Sequence, residues 1–313
     1  MQFLIYCLRR LFYLVPVLLG VCLFIFVIFN VVAGDPTAIL LGKHATVEQM
    51  NDLRTELGLD RPWWVQYFDV VKSAFTFDFG RSWQTKQQIS EMFILGAFPS
   101  LALTLPAFIV ATVLSILISL LVAYYRGSGI DIFVRFLCVA LVSISSLVYI
   151  LFFQYFFAYK MGWFPIAGFE DQIPQFLAYT TLPGIIWVVL SLGPDVRFFR
   201  TVILDEIYQD YVRTARAKGL KEINILLKHV LRNALIPILT YVVIQIPFLV
   251  LGSLLLENFF GIPGLGSTVL TAVNNSDFPV LKAFAVLSSI AYIVFNLITD
   301  ILYYLVDPRV KLS

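Results

Sequence analysis

Histidine is nearly absent from this sequence: His44 and His229 are its two instances, and no HExxH run contains them. The imidazoles from which zinc and metalloprotease sites are built are therefore lacking. Gly42–Lys43 is the one Gly-Lys pair, and His44 follows it where a phosphate-cradling loop needs Ser or Thr. Nucleotide hydrolysis by this chain is thus excluded. Cysteine occurs three times, as Cys7, Cys22 and Cys138, in or beside apolar runs and without CxxC spacing. That pattern fits small buried thiols, not a redox or metal centre. Charge is also scarce, at 13% of residues against about 25% in ordinary soluble domains. No catalytic residue, metal ligand or cofactor is expected from this inventory.

Apolar side chains make up 60% of the sequence, against about 45–50% in soluble domains. They are bunched into runs that lack the polar face of a soluble helix. A run of roughly 18–25 apolar residues spans the ~30 Å hydrocarbon core of a bilayer. Six spans are expected, at 11–32, 100–125, 136–159, 179–199, 233–256 and 283–306. A barrel would instead show alternating segments of about ten residues, so the expected fold class is an all-α integral membrane protein. Arg9 and Arg10 resemble a twin-arginine export signal, but the apolar run behind them is too long, and they are read as the anchor of an uncleaved first span.

Lysine and arginine in short loops set orientation. Arg9 and Arg10 precede the first span, Arg126 and Arg135 follow the second, and Arg309 and Lys311 follow the sixth. The segment between spans four and five carries Arg197, Arg200, Arg213, Arg216, Lys218, Lys221, Lys228 and Arg232, whereas the alternate short loops hold little beyond Lys160 and Lys282. Both termini and the basic segment are expected in the cytoplasm. The basic residues mark a membrane face, and nucleic acid need not be invoked as a partner. The chain divides into 1–32 (N-terminus and first span), 33–99 (an extracytoplasmic segment), 100–306 (a five-span core with a basic loop at 200–232) and 307–313 (a cytoplasmic tail).

Within 33–99, Thr46-Val47-Glu48-Gln49 has the form of a capping box, with a helix to about Leu57 stopped by Gly58. Pro62 opens a second helix on which Trp64, Phe68, Val71 and Phe75 share one apolar face. That face suits the membrane interface, the helix bundle or a soluble partner. Between spans five and six, Gly-Ile-Pro-Gly-Leu-Gly at 261–266 reads as a bend into a short helix from Ser267. No internal repeat is evident.

Ion-coupled carriers place ionisable groups at mid-membrane, and the centres of the six spans lack them. Asp195, Arg197 and Asp300 lie toward span ends; Asp195 and Arg197, two apart, do not share a helix face, and a structural ion pair elsewhere is expected for each. Gln154, Gln245 and Asn296 are polar residues inside spans; such groups more often hydrogen-bond between neighbouring helices, and Gln245 is the candidate to line a solute path.

The 200–232 segment is too charged to span and too regular for a loose loop. "YVRTARAKGL" at 211–220 reads as a small helix ended by Gly219, and "LKEINILLKHVLRNAL" restarts a helix into span five. A polybasic lipid anchor is one reading; the small residues instead favour the close approach of a protein. At these residues the sequence resembles the membrane subunits of binding-protein-dependent ABC importers of the dipeptide/oligopeptide/nickel family. "LRRLFYLVPVLLGV", "LGLDRPWWVQYFD", "DYVRTARAKGL", "LKHVLRNALIPILT", "ENFFGIPGLG" and "DPRVK" carry the resemblance over nearly the whole chain. It differs from the family at Ile246-Pro247-Phe248, where a glycine-rich stretch is usual, and at Asp195, where an apolar residue is commoner.

The resemblance implies a type I importer permease of the bacterial or archaeal inner membrane. It implies Arg213, Thr214, Ala215, Arg216, Ala217, Lys218 and Gly219 as a coupling helix seated in a cytoplasmic ATP-binding subunit. It further implies a second homologous permease and an extracytoplasmic solute-binding protein as partners, alongside membrane lipid, with selectivity set largely by the binding protein. A stand-alone secondary carrier or channel, and a membrane scaffold without transport, are the alternatives.

Overall fold

The computed structural model describes residues 2–32, 36–41, 46–172 and 175–306. His44, the 307–313 tail and the side chains of Cys7, Arg9, Arg10 and Asp300 lie outside the described residues. Regular structure among the described residues is helical, and one isolated bridge pairs Arg81 with Gln88. The chain begins with α1 (Gln2–Val27), extended by a π-helical turn at Ile28–Val32, and α2 (Pro36–Leu41). Helix α3 (Val47–Glu56) has the expected capping box: the Gln49 amide donates to Thr46 Oγ1 and the Gln49 side chain accepts from the Thr46 amide. Helix α4 (Trp63–Thr76) follows, with Pro62 as its cap residue.

Among the described residues, four helices are long and apolar enough to cross a membrane. They are α5 (Ile89–Tyr124), α8 (Gln175–Ile207), the continuous run Glu222–Leu249 and the Phe278–Ile298 part of α14 (Phe278–Val306). Leu14–Asn30, in α1 and its π-helical extension, is a shorter apolar stretch. The third expected span is not straight: α6 (Gly129–Ser143) and α7 (Ser146–Phe153, continued as a π-helix to Lys160) meet at 92°. Ile144 and Ser145 adopt extended backbone between them, and the Ser145 carbonyl instead starts the next helix by accepting from the Val148 amide at 3.0 Å. Serine favours such breaks because its hydroxyl competes for nearby backbone groups.

Between α8 and the fifth apolar run lie α9 (Asp210–Ala217) and α10 (Glu222–Ile225), the latter passing through a π-helical turn into α11 (Leu231–Val250). The fifth span ends before the expected 256. Gly252, at φ +74°, turns the chain, and α12 (Leu254–Phe260) and α13 (Leu265–Asn274) form a short helical hairpin before α14. Helix α13 thus begins two positions ahead of the expected Ser267 start.

Among the described residues, helices α5 and α8 make the most extensive contact. Small side chains let them approach: Ala107 lies beside Gly184, and Ser119 Oγ donates to the Val196 carbonyl at 3.1 Å. Such close packing is what holds helices together where lipid removes the hydrophobic driving force. The apolar face of α4 divides in two. Tyr67, Val70, Val71 and Ala74 pack with Cys22 and Ile25 of α1 and Val286 of α14, whereas Trp64, Phe68 and Phe75 are exposed.

Candidate functional site: a basic helical hairpin beneath a cavity

Helix α9 starts after extended Gln209, with Asp210 in its first turn where the helix dipole favours an acid. It ends in two linked hydrogen bonds, from the Gly219 amide to the Arg216 carbonyl at 2.9 Å and from the Leu220 amide to the Ala215 carbonyl at 3.4 Å. Together with Gly219 at φ +76° they form a Schellman stop. A Cβ on Gly219 would meet nothing within 4 Å, so the requirement for glycine there is conformational, not steric.

The expectation that the small residues of this helix admit the close approach of a partner protein is partly revised. Ala215 is buried with Val212 against the chain's own core, whereas Arg213, Thr214, Ala217, Lys218 and Gly219 are exposed. Arg216 is engaged within the chain: its guanidinium donates through Nε at 3.1 Å and Nη2 at 2.6 Å to the two carboxylate oxygens of Glu222. This fork clamps the two arms of the hairpin together. Among the described residues Arg213 pairs with Asp210, at 3.3 Å, and the two side chains are 73% and 93% exposed. Tyr211 donates to Glu206 at 2.6 Å, and burial with Glu206 beside it pushes its phenol up to about 12, so the donor keeps its proton at neutral pH.

Val212 and Ala215 enter an apolar cluster with Phe199, Ile203 and Ile207 of α8, Ile225 and Leu226 below, and Ala234 and Ile238 of α11. Tyr241 packs on the same cluster and stacks on Phe198 with ring centroids 4.4 Å apart. At this end of the bundle Asp131 of α6 is buried and receives both Nε and Nη2 of Arg200, each at 3.0 Å, tying α6 to α8.

Above the cluster lies a cavity of about 580 Å³, lined by α7, α8, α11, the 251–256 turn and Phe284 of α14. Gln245 lines it, as do Trp187, Asp195 and Tyr241. The structural ion pair expected for Asp195 is not present among the described residues. Its carboxylate is buried and accepts from the Tyr241 hydroxyl at 2.9 Å. Arg197 is exposed on another face of α8.

The α12–α13 hairpin, whose first turn lines the cavity, is fixed by Glu257, which is fully buried. Its carboxylate accepts from Ser100 Oγ at 2.8 Å and from the Ser253 and Ser267 amides at 2.9 and 3.1 Å. Ser100 Oγ in turn accepts from the Leu265 amide at 2.7 Å. A Cβ on Gly266 would stand 2.7 Å from the Leu254 backbone nitrogen, so the glycine-rich bend is needed for close approach. The sequence reading missed the roles of Glu257, Asp131, Glu222 and Tyr241. The pairs Ser100–Glu257 and Asp131–Arg200 join residues far apart in sequence, and Arg216–Glu222 spans a turn that no helical spacing registers.

Helices long and apolar enough to cross a membrane, with a cavity between them, are the architecture of a multi-pass membrane protein. Residues 115–312 match the family of binding-protein-dependent transport system inner membrane components, and residues 1–104 match the N-terminal region of such membrane components. The chain is 33% identical over 306 residues to a glutathione transport system permease protein of Salmonella typhimurium, covering 98% of each chain. It is 31% identical to a dipeptide transport system permease protein of Alkalihalophilus pseudofirmus, covering 98% of this chain and 99% of the other. It is also 31% identical to a glutathione transport system permease protein of Shigella flexneri, again covering 98% of each. The chain belongs to the binding-protein-dependent transport system inner membrane component family and is a permease subunit of an ABC importer.

Proposed function

We propose that the chain forms half of the translocation pathway for peptides or a related small solute. In this reading it crosses the membrane six times, with α1 and the bent α6–α7 pair completing the four long spans. Both termini and α9 are cytoplasmic, and the divisions at 1–32, 33–99, 100–306 and 307–313 separate anchor, outer segment, core and tail. The cargo class is taken from the relatives' names, and a cavity of about 580 Å³ is of small-molecule size. A solute-binding protein delivers the cargo from outside, a second permease completes the pathway, and separate ATP-binding subunits supply the energy.

Residues 213–219 form the coupling segment. Arg213, Thr214, Ala217 and Lys218 present its outer surface, Ala215 and Arg216 fix it to the chain, and Gly219 ends it. The observation that carries the reading is the seating of α9 on a cluster shared by α8 and α11, two walls of the cavity. A displacement of α9 by nucleotide closure would move those walls together, biasing two access states.

The test is ATP-driven uptake by the reconstituted complex. Gly219→Val forces a β-branched residue toward a left-handed conformation that costs L-residues about 1–2 kcal/mol. It is expected to insert normally and to leave ATP hydrolysis running without uptake, whereas Gly219→Asn, tolerant of that conformation, retains transport. Normal uptake by a well-folded Gly219→Val protein would overturn the coupling role.

A further inference from the structure

Asp195 is 4% exposed, yet it contributes to the wall of the cavity. Among the described residues no lysine or arginine forms an ion pair with it; its partners there are the neutral Tyr241 hydroxyl and the neutral Gln245 side chain, which offset no charge. A buried carboxylate generally needs a cation or a full set of donors, because leaving water uncompensated costs several kcal/mol. The stacking of Phe198 on Tyr241 fixes the phenol that orients this carboxylate. Pro194, the preceding residue, has no amide hydrogen, so the Leu190 carbonyl on the same cavity-lining segment loses its helical donor.

A second feature lies farther along the same helix. Trp187 lines the cavity, and its indole Nε1–H is buried with no acceptor. It sits about two turns before Asp195, roughly 12 Å along α8. An extended chain of three residues reaches about 10 Å. A short solute can thus place a positive charge at Asp195 and a carbonyl oxygen near the Trp187 donor.

We infer that the cavity is a transit subsite for a short organic cation, whose ammonium group is matched by Asp195 and whose carbonyl is met by Trp187. This deepens the pathway reading above and rests on it. The charge is bound only in passage, and the binding protein remains the first selector.

The subsite is tested by its electrostatic preference, which needs no identified cargo. In the full transporter complex, a thiol is placed in the cavity by Ser191→Cys and, separately, by Ser146→Cys; the unsubstituted chain, whose Cys22 and Cys138 are buried, is the blank. Modification rates are measured with cationic trimethylammonioethyl and anionic sulfonatoethyl methanethiosulfonate, each normalised to a free thiol. A cleft of one charge sign raises local counter-ion concentration at least about tenfold, so a cationic preference of that order is expected. Asp195→Asn and Asp195→Ser should abolish it, and Asp195→Glu should preserve it. The same preference with and without the carboxylate, or no reaction at either thiol, overturns the inference. Uptake of a dipeptide is followed on the same samples. Loss of ATP dependence with the charge preference intact counts against the importer reading, whereas intact ATP-driven uptake with no charge preference removes only the cation subsite.

Discussion

A carboxylate shut away from water must find its donors in the protein, and Glu257 does so with one hydroxyl and two amides. Hydrogen bonds to a charged group contribute about 1.5–3 kcal/mol each, and a donor left buried without an acceptor costs about 1–3 kcal/mol. Glu257→Ala leaves one hydroxyl and two amides without their acceptor and is therefore expected to destabilise the permease by at least about 1–3 kcal/mol, the cost of a single unpaired buried donor. Glu257→Gln, which keeps an acceptor oxygen, should lose less. Thermal melting followed by size-exclusion chromatography measures both. Gly266→Ala should also lower the melting point, because its methyl group meets the backbone of Leu254. At this scale the sequence displayed the bend at 261–266 but not its purpose. Glycine and proline announce irregular backbone, whereas Ser100, whose hydroxyl a Cβ on Gly264 would meet at 2.5 Å, lies on a distant helix.

Helices α3 and α9 were the most legible elements, since their ends are written in local chemistry: the Thr46–Gln49 capping box and the left-handed glycine after Lys218. The break at Ile144–Ser145 was hidden because it falls inside an apolar run, where hydropathy cannot distinguish one straight helix from two angled ones. The outward face of α9 was misjudged in part for a related reason. Alanine suits close packing against either a partner or the chain's own core, and only the fold shows that Ala215 takes the second course.

The Arg216–Glu222 fork provides a prediction at the same scale. The side chains are 34% and 40% exposed, so solvent screening reduces the pair to about 0.5–1 kcal/mol. A double-mutant cycle with Arg216→Ala and Glu222→Ala should return a coupling energy of that size in thermal stability. Arg216→Ala should also reduce uptake more than ATP hydrolysis, since the hairpin arms separate. Equal loss of both activities would indicate general destabilisation.

Across the whole molecule, the basic end and the cavity are joined by packed side chains: the cluster under α9 includes residues of α8 and α11, and Tyr241 touches both that cluster and Asp195. This continuity was invisible in sequence, where Asp195 and Tyr241 read as unrelated polar residues on separate spans. It leads to an expectation for the assembled transporter. A thiol at Ser191 should react at different rates in nucleotide-free and ATP-bound states, and Tyr241→Ala should shrink that difference by removing the shared side chain. An unchanged difference would show that the walls move without Tyr241. Thermodynamic linkage makes any such coupling run both ways. If the nucleotide alters how well the cavity holds its passenger, the passenger must alter nucleotide affinity by the same factor, so an occupied permease would report its load to the ATP-binding subunits through the ring of Tyr241.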